Sequence, residues 1–286
     1  MPTPEFRTLP KITDVLSIVR EGAALADSLF IESQILREKD AHGDLLTHAD
    51  LAVQDHIVAR LQETFPHISI VAEEDFSTPA VDLCWVVDPL DGSNNFAIGI
   101  PSYAVSIALV EQDRPLLAAV AQGQTGSYFT AAIHTGIQLN GHKWTRPLRE
   151  TRTKRSALWL GYGAASLLAS PNHFRTLLNA HTSRVLETWS PLTDLFAVLN
   201  GSLDLIVAVD CKGMELPAAL TTLSESGFLI VNLDPSRTPL IGAGDGSFVA
   251  GWPDQVAWFL KLLDDEGLSL EVQAPVDAPA GDRDPT

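Results

Sequence analysis

The chain has 286 residues, 45% of them hydrophobic, and a formal net charge of −17. That length supports one large domain or two lobes around a sizeable core. The charge argues against a reader of nucleic-acid backbones or anionic membranes, which needs a Lys/Arg stripe; an acidic protein that handled phosphate would need local cations, and metal ions are the obvious source.

Residues 1–10 read as a loose arm. From Ile12 to about Leu36, apolar residues such as Val15, Val19, Ala23, Leu29 and Ile35 recur at near-helical spacing and predict one long amphipathic helix. Polar residues from Arg37 to Asp44 break it. Thr47-His48-Ala49-Asp50 opens a second helix running to about Phe65, with Thr47 and Asp50 spaced as a capping box. Pro66 ends that helix, and residues 67–72 alternate as a strand that stops at Glu73-Glu74-Asp75.

The stretch Trp85-Val86-Val87-Asp88-Pro89-Leu90-Asp91-Gly92-Ser93 is the centre of the pattern. An apolar run, predicted to be a buried strand, ends abruptly in two carboxylates. Pro89 allows a sharp exit and Gly92 supplies backbone freedom. Asp88 and Asp91 then converge with the Leu90 carbonyl between them, an oxygen-rich site for a hard cation such as Mg²⁺. The amides of Gly92 and Ser93 open a helix and point at an anion.

Strands are predicted at 103–110, 115–122, 127–132 and 137–139, with a turn at Asn140-Gly141. Helices followed by strands make the first half α+β. Polar, basic residues 146–155 form a junction. The second half alternates: strand 157–160, helix 171–180, a short strand near Val185, helix 191–199, strand 203–209, helix 215–226, strand 228–231, strand 246–250 and helix 253–265. The expected division is an α+β lobe with the metal-binding motifs (1–150), an α/β lobe with substrate-side residues (151–268) and a disordered tail (269–286).

Taken together, these motifs resemble the inositol monophosphatase family, within the lithium-sensitive, Mg²⁺-dependent phosphatase superfamily that includes fructose-1,6-bisphosphatase. The resemblance rests on residues 43–50 ending in Thr47-His48-Ala49-Asp50, on Phe65-Pro66-His67-Ile68 with Glu73-Glu74, on Trp85 to Phe96 and on Asn140-Gly141. It implies a layered α-β-α-β-α sandwich and hydrolysis of a small polyol or sugar-like phosphate by metal-activated water with two or three Mg²⁺. It implies that Glu73, Asp88 and the Leu90 carbonyl hold a first metal, and that Asp88, Asp91 and an acid from the second half hold another. Glu73 also directs the attacking water. Ser93 stands where the family usually has Thr, and Asp50 resembles the Asp that bonds that hydroxyl. Gly92 and Ser93 are the phosphate-binding amides.

The second half departs from the family pattern. Met214-Glu215-Leu216-Pro217-Ala218-Ala219 replaces Trp-Asp-x-Ala-Ala, so Glu215 takes the place of the metal-binding Asp. Ala208 falls where many inositol monophosphatases have a second acid for the substrate hydroxyls. Trp189-Ser190-Pro191 replaces a small-residue stretch lining the substrate pocket, which makes Ser190 a substrate-side residue, and Lys212 is a candidate contact for an anionic group. These changes leave open histidinol phosphate, fructose 1,6-bisphosphate and adenosine 3′,5′-bisphosphate as substrates. A catalytically degenerate binding or regulatory protein is the reading from another class. The expected protein is cytoplasmic, with no signal segment, no apolar run long enough for a bilayer and two reduced cysteines, Cys84 and Cys211. It is homodimeric by resemblance, and binds neither nucleic acid nor membrane.

Overall fold

A computed structural model of the protein describes residues 9–30, 35–38, 45–73, 82–112, 114–147, 154–161, 171–211, 213–233 and 246–268. Most of the expected N-terminal arm, part of the junction and the whole tail from 269 lie outside these residues.

Helix α1 (Ile12–Leu29) buries Val15, Ile18, Val19, Gly22, Ala23 and Ala26, a stripe of three- and four-residue steps. It stops well before Leu36. Phe30 leaves the helix to pack against Phe96 and Tyr103, with ring centroids 5.2 Å from each. Ile35–Glu38 is instead strand β1, which pairs antiparallel with β2 (Leu45–Thr47). Ile35 and Leu36 continue an apolar spacing but lie exposed on this hairpin, which is why the periodicity overran the helix. Helix α2 (His48–Thr64) begins with the expected box: Thr47 Oγ1 accepts from the Ala49 and Asp50 amides, and the Asp50 carboxylate accepts from the Thr47 amide.

Strands β3 (Ser69–Ala72), β4 (Leu83–Asp91), β5 (Ala104–Glu111), β6 (Arg114–Gln122), β7 (Tyr128–Ala132), β8 (Gly136–Leu139) and β9 (His142–Lys143) form a seven-stranded sheet in chain order. Only the β3–β4 pair is parallel. A second sheet is built from β10 (Arg155–Leu160), β11 (Arg184–Leu186), β12 (Leu205–Cys211), β13 (Leu229–Asn232) and β14 (Gly246–Gly251), in the order β11-β10-β12-β14-β13. The remaining helices are α3 (Ser93–Ala97), α4 (Pro171–His181), α5 (Pro191–Leu199), α6 (Leu216–Glu225) and α7 (Pro253–Asp265).

Alternation along the strands sorts these elements into five layers. Trp85, Val87, Val105, Ile107 and Leu109 face α1 and α2. Their neighbours Ala104, Ala108, Ala118 and Phe129 face a middle layer made by α5 and α6, which Trp159, Ile206, Ala208 and Phe248 of the second sheet cover from the other side. The outer face of that sheet, with Leu158, Val207 and Val249, packs on Phe174 and Leu178 of α4 and on Val256 and Phe259 of α7. The result is the α-β-α-β-α sandwich. Among the described residues, no helix is long and apolar enough to cross a membrane.

Strand β4 does not end at Asp88. It runs on to Asp91 through an irregularity: Asp88 pairs with Ser106 and Asp91 with Ala104, so three steps on β4 oppose two on β5. Such a bulge tolerates Pro89, which has no amide to give the ladder.

Candidate active site

A cavity of about 230 Å³ opens where the carboxyl ends of β3 and β4 meet those of β10 and β12. Glu73, Asp88, Leu90, Asp91, Gly92, Ser93 and Glu215 all line it. Register explains the first half of this set. Parallel pairing sets Ala72 opposite Val87, so the next residues, Glu73 just past the end of β3 and Asp88 within β4, stand side by side. The bulge then brings in Asp91. Asp88 Oδ1 accepts from the Leu90 amide at 3.1 Å, which ties the carboxylate across Pro89. Gly92 has φ +88°, and a Cβ there would lie 2.7 Å from the Ser102 carbonyl oxygen, so the turn from β4 into α3 requires glycine.

The Ser93 hydroxyl lies 2.7 Å from Asp50 Oδ1 and 2.9 Å from the Leu90 carbonyl oxygen. Asp50 is fully buried, and its Oδ2 accepts from Thr47 Oγ1 at 2.6 Å and from the Thr47 amide at 2.7 Å. One carboxylate therefore both caps α2 and orients Ser93.

Glu215 arrives from the other half of the chain. Met214 buries against Val71, Val86 and Val110, which seats the 213–215 turn on β3 and β4. The Glu215 side chain folds back over Gly213, where any Cβ would collide with its carboxylate. The Asp91 carboxyl is buried, which pushes it well above the usual carboxylate range, and the Glu215 charge adds to the push. The Ser190 hydroxyl and the Leu192 amide, at 2.6 and 2.8 Å, draw it back in part.

Repelling, desolvated carboxylates with a neighbouring backbone carbonyl are the donor set of a hard divalent cation, which would relieve the repulsion. Glu73, Asp88, Asp91, Glu215 and the Leu90 carbonyl fit that role. Among the described residues, no three His, Cys, Asp or Glu side chains are already drawn together as a closed metal cluster. The acids share the cavity wall.

Two substrate-side expectations fare differently. Ser190 is fully buried and spends its hydroxyl on Asp91, so it steadies an acid instead of facing the cavity. Lys212 lies outside the described residues. Other residues had no motif to announce them. Arg175 and Glu187 line the cavity as a forked ion pair, with contacts of 2.7 to 2.9 Å. Asp194, buried in α5, accepts from Trp159 Nε1 at 2.8 Å and from Thr188 Oγ1 at 2.9 Å. Burial raises its carboxyl to about 7. An acid inside the apolar run Pro191 to Leu199 was the one signal for Asp194. Arg175 and Glu187 meet only through the fold. Cys211 also lines the cavity, but burial and the Glu215 charge hold its thiol well above its usual range, so it is protonated and no nucleophile.

The sequence profile of the inositol monophosphatase family matches residues 12–263. The chain belongs to that family. It is 31% identical over 231 residues to an inositol-1-monophosphatase of Synechocystis, spanning 78% of this chain and 79% of the relative. It is 32% identical over 228 residues to the Nus factor SuhB of Pseudomonas aeruginosa, spanning 76% and 81%. A solved IMPase/NADP phosphatase, complexed with Mg²⁺ and phosphate, shares the fold at TM-score 0.70 and 19% identity, over 87% of this chain and 92% of that one.

Proposed function

We propose that this family member is a Mg²⁺-dependent phosphomonoesterase acting on a small polyol or sugar-like phosphate. The observation that carries the reading is the meeting of Glu73, Asp88, Asp91 and Glu215 in one cavity beside the Ser93–Asp50 pair. The solved relative that carries Mg²⁺ and phosphate supports the choice of ion.

Glu73, Asp88, Asp91, Glu215 and the Leu90 carbonyl would hold the ions. When bound there, divalent cations neutralise the phosphoryl oxygens and the departing alkoxide and acidify a water. The chain's own groups do the rest. Asp50 takes the Ser93 hydrogen, which leaves the Ser93 oxygen as an acceptor that orients the attacking water. Glu73 lies beside Asp88 to receive that water's proton. The Gly92 and Ser93 segment borders the phosphate end of the cavity, where backbone N–H groups suit phosphoryl oxygens. No covalent enzyme intermediate is needed, which agrees with a protonated Cys211. The reading carries with it the homodimer that the resemblance implies and the cytoplasmic location expected from the sequence.

Asp88→Asn tests it. The variant should fold as the wild type and lose Mg²⁺-dependent hydrolysis across a panel of phosphate esters by more than about 100-fold, beyond the loss expected for a merely supporting group. Turnover within tenfold of wild type would remove Asp88 from the ligand set. A binding role without turnover is the second reading, favoured by the SuhB name of one relative. Against it stands the full acid set, since uncompensated buried carboxylates are destabilising in a site with no cation to hold.

A further inference from the structure

Trp189 lines the cavity, yet 58% of it is exposed. Its backbone has φ +56°, the left-handed region that a bulky residue avoids. Both features oppose stability, and both are imposed by its neighbours. The Thr188 carbonyl accepts from Asn95 Nδ2 at 2.7 Å, and the Thr188 hydroxyl bonds Asp194 Oδ1 at 2.9 Å. On the other side, Ser190 is fully buried and bonded to Asp91. The chain is pinned before and after Trp189, and the indole is turned outward at the cavity wall. A strained, exposed aromatic held this firmly is a functional signal.

Acidic, polar and apolar residues share the cavity wall. The acids and Ser93 mark the phosphate end. The wall beyond them includes Leu160, Pro191 and Trp189 beside the Arg175–Glu187 pair, whose members are bonded to each other. A flat apolar ring would find an indole face.

We propose that Trp189 is a stacking platform that selects phosphate monoesters whose alcohol carries a planar aromatic ring. The inference rests on the phosphatase reading of the cavity, and its test separates the two. Benzyl phosphate, cyclohexylmethyl phosphate and glycerol 2-phosphate are hydrolysed with Mg²⁺ by the wild type, Trp189→Gly and Trp189→Phe. Glycine suits the left-handed backbone, so Trp189→Gly should unfold at a higher temperature than wild type, and lost specificity cannot be blamed on misfolding.

The wild type should prefer the benzyl ester to its puckered counterpart. Trp189→Gly should lower kcat/KM for benzyl phosphate about tenfold, as removal of a stacking aromatic does, while glycerol 2-phosphate stays within about twofold. Trp189→Phe should keep most of the preference. An equal fall for all three esters, or none, overturns the platform. Benzylphosphonate, which cannot be hydrolysed, supplies a readout without chemistry. It should quench wild-type tryptophan fluorescence and bind Trp189→Gly about tenfold more weakly. If no ester turns over but this binding difference holds, the phosphatase reading falls and the platform stands. If the phosphonate binds both proteins alike, the platform falls.

Discussion

Asp194 makes stability depend on pH. An unfolded Asp gives up its proton near pH 4, whereas folded Asp194 keeps it to about 7 because burial disfavours its charge. Between those values the native chain binds the proton that the unfolded chain has released. Stability therefore falls as pH rises from about 4 to about 7 and levels off above. Asp194→Asn removes this slope. The amide oxygen still accepts from Trp159 Nε1, and the Thr188 hydroxyl can reverse to accept from the amide nitrogen. From pH 5 to 7, wild type should lose about 1 kcal/mol per pH unit relative to the variant in urea unfolding. Parallel profiles would contradict the assignment. At this scale the sequence was most legible where a motif is local. Asp88, Asp91 and Gly92 stand in one short run, and Thr47 with Asp50 reads as a cap. The second duty of Asp50, facing Ser93 across 43 positions, came only with the family resemblance.

The turn from β12 into α6 carries a matched pair. Glu215 is one methylene longer than the Asp of the family pattern, and the missing side chain of Gly213 gives its carboxylate room to fold back. Gly213→Ala meets only the far end of a flexible side chain, so the fold should survive while the carboxylate is displaced. Magnesium binding measured by calorimetry should weaken about tenfold. Adding Glu215→Asp shortens the side chain and should restore affinity to within about twofold of wild type. A double variant worse than either single change would show that the two positions are not coupled in this way. Elements with strong period or punctuation, such as α5 and α7 with proline in the first turn, were readable within a residue or two. The β1–β2 hairpin and the β4 bulge were not: Ile35 and Leu36 continue the apolar spacing of α1, and the bulge is set by the register of β4 on β5, which no local motif announces. The Arg175–Glu187 fork was also hidden, because its partners meet only once α4 has packed against the sheet.

At the scale of the molecule, α5 and α6 lie between both sheets and share one apolar cluster with each. Phe129 of the first sheet packs edge-on against Phe196 of α5, with centroids 4.9 Å apart, and Phe248 of the second packs against Trp159 at 6.1 Å. Phe129→Ala and Phe248→Ala should each destabilise by about 3–5 kcal/mol. Both should shift a single unfolding transition, seen alike by circular dichroism and by tryptophan fluorescence. Two separated transitions in either variant would mean that the halves melt apart. The shared layer also has a consequence for how the protein is made. The first sheet leaves the ribosome with Ala104, Ala108, Val120 and Phe129 uncovered, and the helices that shield them are encoded up to roughly a hundred residues later. At ordinary translation speed that is roughly 5–20 s of a bare hydrophobic face on the nascent chain, an interval in which chaperone holding, more than final stability, decides the yield of active protein.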